Sequence, residues 1–118
     1  MREQVGPYLS RLMVPRTKLP AQTRSAEEAH QLGKRLLHGL GVPKNEERAA
    51  ALFRQAADQG HAGAQFELGE CYYYGRGVPK DVPYAISWYR KAAEQKHFDA
   101  QNSLRMIEWM QSHSKNRR

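Results

Sequence analysis

Residues 72–81 read YYYGRGVPKD, and residues 38–45 read HGLGVPKN. The shared string, GLGVPK at 39–44 and GRGVPK at 75–80, either cradles an anion or closes a turn that the chain uses twice. A phosphate-holding glycine loop leads from a strand into a helix, so that backbone N–H groups converge on the anion. Here the string follows a stretch of helical spacing and comes back a second time. It is a turn between helices.

Working outward from that turn, a shift of 36 residues aligns 32–67 with 68–103 without a gap, and 15 of 36 positions are identical. The matches include Leu32-Gly33 with Leu68-Gly69, Ala56-Ala57 with Ala92-Ala93, His61 with His97, and Ala64-Gln65 with Ala100-Gln101. A period of this size signals stacked supersecondary units that bury their apolar faces against one another. In each unit a first helix stops at Gly39 or Gly75, residues suited to the left-handed backbone beyond a helix end. Val42 or Val78 then turns toward the core, and a proline holds the connector extended. Asn45 and Asp81 are good N-caps for the second helix. That helix carries Ala49, Leu52, Phe53, Ala56 and Ala57 in one copy, and Tyr84, Ala85, Trp88, Tyr89, Ala92 and Ala93 in the other. Small residues at matching places let helix axes approach closely, and the large ones fill the spaces between repeats. Gly60 ends the first repeat, whereas Lys96 takes its place in the second. A left-handed lysine is strained by about 1 kcal/mol, so the second junction is expected to bend differently.

The stretch AQFELGECYYYGRGVPKDVPYAISWYRKAAEQKH closely resembles the Sel-one-like repeat family. The resemblance rests on Leu68, Gly69, Tyr72, Gly75, Gly77, Val78, Asp81, Ala85, Trp88, Tyr89, Ala92 and Ala93. Residues 26–61 are a looser copy, with Leu36 in the tyrosine position, Asn45 for the acid and Leu52-Phe53 for the aromatic pair. Residues 98–112 begin a third unit with Ala100, Gln101 and Leu104. Arg105 replaces its glycine, and the segment reads as a closing helix over the last apolar face. The resemblance implies an all-α fold, a tetratricopeptide-like α/α solenoid forming a right-handed superhelix of helix-turn-helix repeats. It also implies that first helices line a concave surface, and that the chain works as an adaptor in protein complexes or signalling.

Two extensions flank the repeats. Val5, Tyr8, Leu9, Leu12 and Met13 make one apolar stripe on a helix over residues 3–14, bounded by Pro7 and Pro15. It either caps the open side of the first repeat or docks on a partner or a second copy, leaving a dimer open. A basic linker follows to residue 25, and Ser25-Ala26-Glu27-Glu28 has the capping-box pattern that starts the first repeat. Residues 113–118 read as a basic, frayed tail. The formal net charge is +7, a value that suggests nucleic acid until it is placed along the chain. Residues 28–104 hold 10 Lys/Arg against 9 Asp/Glu, while residues 1–27 hold 5 against 2 and residues 105–118 hold 4 against 1. The basicity sits in the ends.

No apolar run approaches the roughly 18 residues that a membrane span needs, and the first 30 residues lack the apolar core of a secretory signal. With one cysteine, Cys71, no internal disulfide is open to the chain, and a soluble, cytoplasmic protein is expected. Cys71 has no evident acid–base partner and reads as a buried, inert thiol. His61 and His97 share one register, which fits a junction role rather than catalysis. His30, His38 and His113 show no spacing such as H-x-x-x-H, so neither a metal nor a cofactor is expected. Without a nucleophile paired to a base, the chain is not expected to be an enzyme.

Three consecutive tyrosines on a helix cannot all be buried, since neighbours point about 100° apart. Tyr72 takes the core position, leaving Tyr73 and Tyr74 partly outside. Gln31, Lys34 and His38 match Glu67, Glu70 and Tyr74 by register. The candidate protein-binding surface is this strip, together with Trp109. Trp109 sits near Met106 and Met110 on the closing helix and is otherwise expected to pack on the second repeat. It would receive a peptide or helix of a larger, bacterial partner. The alternative is a nucleic-acid or acidic surface held by Arg2, Arg11, Arg16, Lys18, Arg24, Lys115, Arg117 and Arg118. Those residues lack an interleaved aromatic platform.

Overall fold

A computed structural model of the chain describes residues 25–116, the last two by backbone alone. It holds five helices in order: α1 (Ala26–His38), α2 (Glu46–Asp58), α3 (Ala62–Tyr74), α4 (Val82–Glu94) and α5 (Phe98–Asn116). Each packs on the next, so α1/α2 and α3/α4 form two stacked hairpins and α5 lies against α4. The described residues form an all-α solenoid. The apolar stripe at residues 3–14 and the linker after it lie outside them.

Local chemistry sets each boundary. Ser25 Oγ accepts from the Glu28 N–H at 3.1 Å while Glu28 Oε1 accepts from the Ser25 N–H at 3.3 Å, closing the capping box. Asn45 and Asp81 accept from the N–H groups of Arg48 and Tyr84 at 3.0 and 3.1 Å. Each such cap is worth about 1 kcal/mol. Gly39 and Gly75 end the first helices in the left-handed region, at φ 69° and 71°. The connectors then fold back identically: the Asn45 N–H donates to Leu36 O and the Asp81 N–H to Tyr72 O, both at 2.8 Å.

His61 and His97 prove to be N-caps. Each Nδ1 accepts from the N–H three residues on, at Ala64 (3.0 Å) and Ala100 (3.2 Å). Both rings therefore present a bare Nδ1 to the helix and, when neutral, carry the proton on Nε2. The side-chain amide of Gln65 donates to Ala57 O and that of Gln101 to Ala93 O, each at 3.2 Å, tying α3 to α2 and α5 to α4.

The second junction does not bend differently. Lys96 adopts φ 69°, and the hydrogen bonds match those of the first junction: Lys96 N–H to Ala93 O (2.9 Å) and His97 N–H to Ala92 O (3.1 Å), against Gly60 N–H to Ala57 O (2.9 Å) and His61 N–H to Ala56 O (3.2 Å). The packing of the following helix outweighs a strain of about 1 kcal/mol.

Within each hairpin, the glycine of the Leu-Gly pair admits an aromatic ring from the second helix. A Cβ on Gly33 would stand 2.7 Å from the Phe53 ring, and one on Gly69 would stand 2.7 Å from the Tyr89 ring. Phe53 and Tyr89 are accordingly among the most buried large side chains, and burying each contributes about 1.5–3 kcal/mol. Ala29, Leu36, Leu52, Phe53, Leu68 and Trp88 belong to one core; Ala85, Tyr89 and Ile107 begin a second that reaches the closing helix.

Candidate functional site

The residues that the sequence pointed to lie on the first helices, α1, α3 and α5. Between α3 and α5 lies an open cavity of about 240 Å³, lined by Glu70, Tyr73 and Tyr74 from α3, by Tyr89 from α4, and by Met106, Ile107 and Met110 from α5. Helical spacing explains the set. Ala100, Leu104 and Ile107 step along the face of α5 that meets the repeats, with Ala100 and Ile107 buried. Met106 and Met110, one turn apart, edge that face on the cavity side.

Tyrosines shape the opposite wall. Tyr72 packs edge-on against Tyr84 at 4.6 Å, Tyr73 meets Tyr74 edge-on at 4.9 Å, and the Arg76 guanidinium lies 4.8 Å from the Tyr74 ring centroid. Tyr74 remains 55% exposed and Met106 61% exposed, so both offer apolar surface to an incoming group. Tyr89 donates its hydroxyl to Glu70 Oε1 at 2.6 Å. Burial first, and then the bond to Glu70, pushes the Tyr89 phenol up. Glu70 is thus a structural acceptor as well as a cavity wall.

Buried Cys71 lies on α3, and burial, followed by the nearby Glu67 carboxylate, pushes its thiol up to about 12. It stays protonated, and a poor nucleophile, at neutral pH.

The remaining sequence candidates are scattered. Gln31 is exposed and donates to Glu27 at 2.7 Å; Lys34 is half-buried and His38 exposed at the end of α1. None of the three lines the cavity. Glu67 faces His30 across the first junction, with His30 Nε2 3.9 Å from Glu67 Oε2. Trp109 does not pack on the second repeat. It is 59% exposed and stacks on the His113 ring at 4.0 Å, because it sits two residues past Ile107 and so points to the far side of α5. That stacking, and helix continuing to Asn116, takes the segment after Ser112 into α5. Lys115 lies on the last turn of α5; Arg2, Arg11, Arg16, Lys18, Arg24, Arg117 and Arg118 lie outside the described residues.

Residues 29–61 and 62–97 each match the family model of the Sel1 repeat. The chain belongs to the Sel1 repeat family. Solved structures agree with this Sel1 assignment. A Sel1 repeat protein from Oxalobacter formigenes shares 39% identity over 70% of this chain and 24% of its own, with a TM-score of 0.67. A protective antigen of uropathogenic Escherichia coli with an SLR fold shares 32% over 74% of this chain and 19% of its own, with a TM-score of 0.70. Cysteine-rich protein B of Helicobacter pylori shares 26% over 67% of this chain and 59% of its own, with a TM-score of 0.63. This chain therefore spans about a fifth to three fifths of those proteins. No curated protein matches it. Sel1 repeats are typically protein-interaction modules and generally non-enzymatic scaffolds, and no described helix is long and apolar enough to cross a membrane.

Within the Sel1 units, two sets of residues escaped the sequence. Tyr89 reads as core and yet reaches the cavity, which only the closing helix completes. Glu27, His30 and His61 come together across the first junction, from residues too far apart for any one-helix spacing rule to join.

Proposed function

We propose that this Sel1 chain is a non-enzymatic adaptor whose α3–α5 cavity receives an apolar side chain carried by a peptide or helix of a partner protein. The cavity wall carries the reading: Tyr73, Tyr74, Met106 and Met110 converge on one opening large enough for an aromatic or long aliphatic group. Tyrosine gives contact area at low entropic cost and methionine adapts its shape, so the two together suit an anchor pocket. The tyrosine strip is retained from the sequence reading, while Gln31, Lys34 and His38 on α1 would serve as a flank for the rest of the segment.

The test compares wild type with the double variant Tyr74→Arg, Met106→Glu as bait in lysate of the source cells, at low and high salt and with nuclease. A stoichiometric protein held at high salt by wild type and lost by the variant is the expected result. Capture that disappears with nuclease or salt and ignores the substitutions would transfer the function to the basic ends. Glu70 is unsuitable as the probe, because removing it also strands the Tyr89 hydroxyl.

A further inference from the structure

The junction between the two repeats collects ionisable side chains that do not line the tyrosine cavity. We propose that Glu27, His30 and His61 form a site for one divalent transition-metal ion of the zinc class, with the Glu67 carboxylate beside it. One ligand-type atom from each of the three lies within 4.8 Å of the others, and His61 Nε2 is 2.8 Å from Glu27 Oε1. Two imidazoles with carboxylate oxygen are a donor set that zinc-class ions take and that magnesium or calcium does not.

His30 is the residue that a purely structural account leaves unexplained. It is only 8% exposed, and among the described residues neither ring nitrogen has a hydrogen-bond partner. The 3.9 Å from its Nε2 to Glu67 Oε2 is too long for a hydrogen bond. Buried polar atoms are rarely left this way, because they lose water and gain nothing. Nor does packing call for an imidazole here. One repeat later the same register holds Phe66, which stacks on His97 at 5.0 Å, as His30 meets His61 at 4.6 Å. Gly63 occupies the register of Glu27, and a Cβ on it would come 3.0 Å from His30 Cε1 and 3.2 Å from His61 Cε1. The glycine opens room for both rings in the first junction, where the second has no ligand set to accommodate. Among the described residues, the ion-pair partners of Glu27 and Glu67 are these histidines, with no lysine or arginine to neutralise them. A cation supplies that charge.

Coordination through His61 Nε2 moves the proton of the neutral ring to Nδ1, which then faces the Ala64 N–H instead of accepting from it. Loss of that cap weakens binding by about fivefold. It also supplies a reporter, since the Ala64 amide must shift when the ion enters.

The experiment titrates the full, untagged chain with Zn²⁺ by calorimetry and with Co²⁺ by visible absorption, following the Ala64 amide by NMR. Two variants accompany it, His30→Phe, which installs the residue of the second repeat, and His61→Asn, which removes a ligand but keeps a good N-cap. Thermal melts establish that both fold. The expected result is one ion per chain, a shifted Ala64 resonance, and an affinity at least about tenfold lower in each variant. Equal binding by all three proteins, or no stoichiometric binding by wild type, would overturn the site. Loss in only one variant would remove the other histidine and overturn the three-residue assignment.

Discussion

The two copies of the 36-residue unit have one backbone and different surroundings, and the difference shows what each register is for. At the connector, Gly77 and Gly41 share a positive φ, 74° and 77°. Yet a Cβ on Gly77 would collide with the backbone of Glu46 and Glu47 in the preceding repeat, while the nearest described atom to Gly41 is the Arg35 guanidinium. At the junction, Lys96 copies the left-handed turn of Gly60. At the ring position, Phe66 and Tyr89 stand 5.7 Å apart where His30 and Phe53 stand 6.0 Å apart. Backbone geometry is thus a property of the unit, whereas close approach and polarity belong to the place in the stack.

The sharpest way to break that comparison is alanine at the two connector glycines. Gly77→Ala adds a backbone clash to the left-handed strain and is expected to cost about 3 kcal/mol, against about 1 kcal/mol for Gly41→Ala, in urea unfolding. Equal losses would mean that inter-repeat contact at Gly77 carries no weight. Next comes His30→Phe, which makes the first ring cluster resemble the second. In metal-free buffer it should stabilise the chain by about 2 kcal/mol, by deleting two unpartnered buried nitrogens. Lys96→Gly should add about 1 kcal/mol by relieving the left-handed strain at Lys96, read as a rise in melting temperature. A loss there would show that the lysine side chain holds the junction.

The smallest change is expected at Cys71, whose register in the first copy is exposed Arg35. A thiol raised in the folded state keeps its full contribution below the unfolded value of 9.0 and loses it as pH climbs toward about 12. Stability should accordingly show no Cys71 contribution to its pH dependence between pH 6 and 8, and thiol reagents should label the folded chain only slowly. Rapid labelling at neutral pH would place Cys71 outside the core.

Much of this was legible because it is local. Ser25-Glu28, Asn45, Asp81, Gly39 and Gly75 announce helix ends through groups within a few residues of one another, and a period repeated without gaps exposes the fold. The junction histidines were only half legible. Their shared register spoke for a structural role, but Nδ1 capping is a matter of ring orientation, which spacing cannot show. Trp109 illustrates the opposite difficulty, since an aromatic residue on an amphipathic helix suggests burial until the phase of Ala100, Leu104 and Ile107 is fixed by contact with α4. The cavity needs α3 and α5, separated in sequence by the whole of α4, and so only Tyr73, Tyr74 and Glu70 could be named in advance among its walls.

Gly77 receives the first turn of α2, from the preceding repeat. Gly41 repeats that shape at the leading edge of the first unit, with the same torsion and no described backbone pressed against it. An engineer stacking one more hairpin on the first unit would therefore find the required torsion already present at Gly41, and would have the Arg35 guanidinium, held by Leu40 O, to displace.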